Sequence, residues 1–502
     1  MMGRVKQNQG KLFYTRLNLD KRIRQDHLLR QIDNLIDFDF IYDEVEDAYG
    51  SKGNVSVPPP VILKMMLLLV LYNVRSEREL MDTIPERLDW LWFLGYDLDD
   101  DIPDHSVLSK ARARWGTKAF QTFFERIVIQ CADAGLVQGR KLFMDSSDIQ
   151  ADASNNSVVN TKDIKRYLQK SYRSFERRLE DASEPPDDDD LTPPKTGSAN
   201  SKFVSTTDPD ASVQRKGAGR SKLQYKVHRA VDETHEVITA TTVTSASVNE
   251  ANLMAPLLNA HKRTMGKMAR VCVADSKYGT IGNYLACYDM KVKGHFESIE
   301  KAHRGHGVRK GILPKESFIY RRQSDSFICP EGEELKRRNF NKNRQQFEYM
   351  ASMKTCGKCH LLDQCTRSKT GRSLKRHLRQ NELDIMLEHA GSKQSQKDIR
   401  KRQHLMERSF ARGSRYGFKR ARWRRLWRVK IQELLTATVQ NILVYVRYAK
   451  DRRSRAAAGL RISNTSASVS WYRRNLMRLR SQLNHAPMLV ERACVMELKT
   501  AR

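Results

Sequence analysis

Two stretches of this chain have the same design. In LFMDSS, Leu142, Phe143 and Met144 run straight into Asp145 and Ser146; in VCVADS, Val271 to Ala274 run into Asp275 and Ser276. A short unbroken apolar run is the signature of a strand buried on both faces. Open α/β sheets do their chemistry at the carboxyl ends of such strands, where both acids sit. Neighbouring parallel strands lie about 4.8 Å apart. Two carboxylates that close repel each other unless they share a proton or a cation sits between them. Hard divalent cations such as Mg²⁺ take these oxygen ligands. A lone strand-end aspartate would more simply cap the following turn, and the matched pair is what favours chemistry. Asp148 and Asp152 compete with Asp145. They follow the apolar run, where the chain is expected to leave the sheet, so Asp145 is the candidate.

The acids stand in a strongly basic chain. Of 502 residues, 90 are Lys or Arg against 59 Asp or Glu, a formal charge of +31. Such an excess favours a polyanionic partner, nucleic acid before anionic membrane. The best apolar run, Val61 to Tyr72, is interrupted by Lys64 and is too short to span a bilayer. The opening MMGRVKQNQGKLFY lacks a signal-peptide apolar region. Eight cysteines in so long a chain are no disulfide framework, which implies a reducing, cytoplasmic setting.

Several elements must position the acids. Up to about residue 140 the pattern is helical. VPPPVILKMMLLLVLYNV has a proline start and no strand alternation, and Ser76 with Glu79 has capping-box spacing before a further helix. DHSVLSKARARWGTKAFQTFFERIVIQCADAGLV reads as two more helices, and SVLSKARARW is compatible with a helix-turn-helix. From Lys141 the order becomes strand, hairpin (from Tyr225), helix, strand (ARVCVAD), helix, strand (VKGHFESI), which predicts a mixed α/β sheet with helical cover. Residues from about 181 to 219, with EPPDDDDLTPP, read as a disordered loop. The expected divisions are a helical DNA-binding domain over 1–140, a first core segment over 141–300, a basic cysteine-containing insertion over 301–392, core helices over 393–450 and a basic tail over 451–502.

The order strand–Asp, hairpin, helix, strand–Asp, helix, insertion, helix with Glu resembles the RNase H-like catalytic core of DDE transposases, in particular bacterial insertion-sequence transposases with a helical N-terminal domain. The matching stretches include RLDWLWFLGYDLDDDIPDHSVLSKAR, FMDSSDIQADAS, YKVHRAVDETHEVI, VADSKYG and ERSFARGSRYGFKRARWRRLWRVKIQELLTATVQNI, spread over residues 30 to 450. The resemblance implies a third acid on a late helix and places it at Glu407; without it, Glu407 reads as a surface glutamate, with Glu433 and Glu250 as competitors. Ile399, Met406 and Phe410 can share a helical face that Glu407 borders. Many relatives carry Tyr and Arg before this Glu and Lys after it, where this chain has Arg400, Gln403 and Ser414.

The resemblance further implies two Mg²⁺ ions, with Mn²⁺ as a substitute, held by Asp145, Asp275 and Glu407. They would serve strand cleavage at transposon ends followed by strand transfer into target DNA, by a homodimer on double-stranded DNA near the nucleoid. A nuclease of the same fold without strand transfer, or a non-catalytic DNA-binding repressor, are the alternatives. Lys277, Tyr278, Arg412, Arg415, Arg422 and Trp423 are candidate DNA contacts, the last four from a run of arginines interleaved with aromatics. The aromatics of that run could equally pack inward. Cys329, Cys356, Cys359 and Cys365 contain one C-x2-C pair with two outlying cysteines, compatible with a Zn²⁺ site or with unligated thiols.

Overall fold

The computed structural model describes residues 18–50, 53–160, 202–215, 218–298 and 311–457, with Met2 and Asn200. Most of the expected loop and the tail from residue 458 lie outside the described residues. The chain divides into two compact units, one made of residues 1–269 and 403–502, the other of residues 270–402.

Among the described residues the first unit opens with seven α-helices: α1 (Leu19–Arg22), α2 (Leu28–Leu35), α3 (Phe40–Val45), α4 (Pro59–Leu71), α5 (Glu77–Thr83), α6 (Leu88–Leu94) and α7 (Ser106–Asp133). Pro59 starts α4, which is apolar all round and buried along most of its length, as a helix at the centre of a bundle must be. Ser76 caps α5 by accepting from the Glu79 amide at 3.2 Å. Helix α7 breaks at Gly116, whose φ of 62° and ψ of −166° interrupt the helical backbone between two arms. The two helices expected there are those arms.

After α7 comes β1 (Lys141–Gln150), then a small pair of β2 (Val158–Asn160) and β3 (Phe203–Ser205), then β4 (Ser212–Gln214), β5 (Lys222–Asp232) and β6 (Ile238–Ser245). β5 runs antiparallel to β1, β4 and β6. β5 and β6 are the expected hairpin. Its turn holds Glu236 at φ 59°. α8 (Met254–Met265) packs on β5 and β6. The unit is completed late in the chain by the end of α13 (Lys393–Ser414) and by α14 (Leu426–Ala457), once α9 to α12 below have intervened. α14 packs against α2, α4, α7 and β6.

In the second unit β7 (Val271–Val273) leads through α9 (Ile281–Asp289) to a parallel β8 (Lys293–His295). A five-stranded antiparallel sheet follows, in the order β13 (Ser373–His377), β12 (Gln346–Met350), β11 (Glu334–Asn341), β10 (Ser326–Ile328), β9 (Ile319–Arg321). Short helices α10 (Met353–Cys356) and α11 (Leu362–Cys365) lie between β12 and β13. α12 (Gln380–Gly391) packs on α9 and β8. The sheet of the insertion, with its own core of Phe318, Phe327, Leu335, Tyr349 and Leu374, was not foreseen. The remainder is the expected mixed α/β architecture, an RNase H-like core behind an all-helical N-terminal segment and interrupted by a cysteine-containing insertion.

Candidate active site

Asp145 sits in the middle of β1, because the strand continues to Gln150 instead of ending at the acid. That corrects the expectation that Asp148 lies beyond the sheet, and it separates the two acids by geometry. Successive strand residues point to opposite faces, so Asp145 shares a face with Phe143 and Ile149, and Asp148 with Met144 and Ser146. Asp145 accepts from the Ser146 amide at 2.8 Å. Its cross-strand partner is Arg229 on β5, and directly opposed residues occupy the same face. Asp152 forms ion pairs with Arg420 at 3.1 Å and Arg424 at 3.3 Å.

The face shared by Asp145 and Arg229 is the one that α13 and α14 cover. Arg229 and Glu433 of α14 are both buried, joined by Nε to Oε1 at 2.7 Å and Nη2 to Oε2 at 2.9 Å. Arg229 Nη1 donates to the Ser409 carbonyl on α13 at 3.1 Å. Glu433, a competitor for the third acid, is thereby part of the core. Glu250, the other competitor, is buried on the opposite face, where it accepts from the Ser146 hydroxyl.

Glu407 lies two residues before Ser409 on α13. Leu405, Met406 and Ser409 are buried, while Glu407 is exposed and accepts from Gln403 Nε2 at 3.3 Å. Gln403 thus reaches the glutamate as a neutral donor. Arg408 and Arg412 flank Glu407 and both bind Glu236 of the β5–β6 turn, at 2.6 and 2.9 Å. Arg415 is exposed.

Asp275 belongs to the second unit. It follows the strand end, and its side chain accepts from the Lys277 amide at 3.0 Å, capping a short turn. Lys277 is exposed, whereas Tyr278 is fully buried and so has no open face for a DNA backbone. Nearby, the His295 carbonyl accepts from the Ala274 amide at 3.2 Å, and His295 Nδ1 lies 2.8 Å from Asp398 at the start of α13.

Arg422 and Trp423, expected at DNA, are engaged within the first unit. Arg422 donates to the Val74 carbonyl and, at 2.5 Å, to Asn73 Oδ1. Trp423 Nε1 donates to Glu77 at 3.1 Å, and the guanidinium of buried Arg112 stacks 4.0 Å from the indole centroid while it pairs with Glu77 at 2.5 Å. Phe418 and Trp427 are buried as well, so the aromatics of the arginine-rich run pack inward.

All four insertion cysteines carry free thiols, and burial pushes that of Cys365 up, opposed by Arg372 and reinforced by the other three. Among the described residues no group of three or more His, Cys, Asp or Glu is arranged to hold a metal ion, so the zinc expectation has no structural support. The carboxylates of Asp145, Asp275 and Glu407 offer the hard oxygen donors that Mg²⁺ prefers. No helix among the described residues is long and apolar enough to cross a membrane.

Comparison with known families gives two matches. Residues 17–114, the helical segment, match a model described as a transposase domain. Residues 328–446 match a model described as a transposase DDE domain; the span contains Glu407 and the four insertion cysteines, and leaves Asp145 and Asp275 outside. No curated protein and no solved structure matches the chain. With one transposase model on its helical segment, another on the stretch bearing the late acid, and a mixed α/β fold between them, the chain carries two transposase-family segments, which support an insertion-sequence DDE transposase.

Proposed function

We propose that this chain is a transposase that binds the terminal repeats of its element and carries out metal-dependent strand cleavage and strand transfer, with Asp145, Asp275 and Glu407 as the acids. The observation that supports this best is the placement of α13 over the sheet face of Asp145, with Glu407 exposed beside the covered stretch. Asp145, Asp275 and Glu407 would hold Mg²⁺, which supplies charge stabilisation and an activated oxygen nucleophile in phosphodiester chemistry. The chain's own part is to present carboxylates and to orient the DNA. Asp145 is fixed by its strand and by the Ser146 amide. Asp275 is fixed by the turn it caps. Lys277 and Arg415, both exposed, would meet phosphates, a sequence-independent attraction. The helical N-terminal segment would read the terminal repeats, and a homodimer would pair two ends.

Asp145→Asn, Asp275→Asn and Glu407→Gln keep side-chain size and remove charge. Each is expected to lower Mg²⁺-dependent cleavage of labelled end DNA by at least about 100-fold while leaving end binding within a few-fold of wild type, because removing one ligand defeats the metal site and most DNA affinity comes from phosphate contacts. Wild-type cleavage by any one variant removes that residue from the site. Joining of a cut end to a target plasmid separates a transposase from a plain nuclease.

A further inference from the structure

Arg229 is an unusual residue to find at the centre of a core. It is fully buried, directly opposed to Asp145, and its fork is used on every side. Nε and Nη2 hold both oxygens of Glu433, and Nη1 holds the Ser409 carbonyl. With the Gln440 amide turned to suit its surroundings, its oxygen accepts from Nη1 at 3.2 Å and its nitrogen donates to the same Ser409 carbonyl at 2.9 Å. Thr241 on β6 donates to Glu433 Oε1 at 2.8 Å. The rings of Phe410 and Phe418 lie against the guanidinium, with centroids 4.9 and 4.7 Å away. One side chain thus joins β5, β6, α13 and α14.

Stability does not account for this. A buried ion pair replaced by apolar side chains of similar volume is often neutral or stabilising, because desolvating two charges offsets their attraction. What a planar, fully satisfied fork supplies is direction. The Ser409 carbonyl is a fixed point on the α13 backbone, two residues and about 3 Å of axial rise from Glu407. Holding it sets both the height and the rotation of α13 above the strand that carries Asp145. An apolar contact at Met406 or Phe410 would permit sliding and rolling; a hydrogen bond to one carbonyl does not.

We propose that Arg229, acting through Ser409 and Glu433, is the positioning residue that fixes Glu407 relative to Asp145. This rests on the reading of those two acids as metal ligands. Groups that orient ligands in this way typically change metal affinity or activity by about 10–100-fold when removed.

The test uses the full chain in three forms: wild type, Arg229→Lys, and the apolar double variant Arg229→Met/Glu433→Leu. Two readouts are taken at a temperature where circular dichroism shows each form folded. One is Mn²⁺ binding, followed by loss of the free-ion electron paramagnetic resonance signal. The other is the Mg²⁺ concentration giving half-maximal cleavage of end DNA. Both variants are expected to bind Mn²⁺ at least about tenfold more weakly and to need correspondingly more Mg²⁺, with end-DNA binding unchanged. A folded variant that matches wild type in both readouts overturns the proposal, and if the double variant does not fold, Arg229→Lys decides alone. Asp145→Asn and Glu407→Gln run in parallel: if they bind Mn²⁺ and cleave as wild type, the site reading itself fails, a different result from normal behaviour of the Arg229 variants alone.

Discussion

At the residue scale, the apolar runs before Asp145 and Asp275 marked two strands, because strand burial is written in consecutive side chains. It misjudged where β1 stops, since Ser146, Ser147 and Asp148 carry no apolar signal while their backbone still pairs with β5. Arg422 and Trp423 were legible as residue types able to meet DNA. Their actual partners come from positions hundreds of residues away, which no local pattern encodes. Two buried histidines went unnoticed for the same reason. Burial pushes His228 down to about 3 and His261 down to about 4. Both therefore stay neutral in the folded protein, whereas an unfolded histidine takes a proton near pH 6.5. Their contribution to stability is fully present above about pH 6.5 and is lost as pH falls toward 4, where the unfolded chain binds the extra protons. Thermal melts of the wild type are expected to fall over that interval, and His261→Gln to flatten the slope. Equal slopes for the two proteins would show that His261 is protonated when folded.

At the element scale, the helices and the strand–hairpin–helix–strand order could be read from periodicity and punctuation. The five-stranded sheet of the insertion could not. Its strands are short, and the longest, β11, buries Leu335 alone while its other seven residues are exposed. Such a strand has almost no alternation to detect. Nor did the sequence reveal the joint between the arginine-rich segment and the N-terminal helices, where Glu77, Arg112 and Trp423 meet. Arg112 is 3% exposed. Truncating one member of a buried pair leaves the other uncompensated, so Arg112→Ala is expected to cost about 3–5 kcal/mol. Arg112→Lys should recover only part of this, since an ammonium cannot both stack on the indole and keep the fork. Urea unfolding measures both; a loss below about 1 kcal/mol for Arg112→Ala would mean that the joint is solvated.

At the scale of the whole molecule, the formal charge of +31 is the simplest feature and was visible at once. If a handful of its cations meet phosphates, end-DNA affinity should fall by about 10³–10⁵ between 50 and 200 mM salt. Fluorescence anisotropy at several salt concentrations checks this, and a flat profile would argue against phosphate contacts as the source of affinity. The return of α14 to the first unit has a consequence in time. It packs on α2, α4, α7 and β6, and its Asn441 bonds both the amide and the carbonyl of Ile238. Nearly 300 residues separate the end of α7 at Asp133 from the start of α14 at Leu426. At about 5–20 residues per second, a ribosome needs tens of seconds to deliver that covering helix. Through that interval the bundle and the sheet wait with apolar faces uncovered, and a message cut short before Leu426 yields a chain that has no means of closing them.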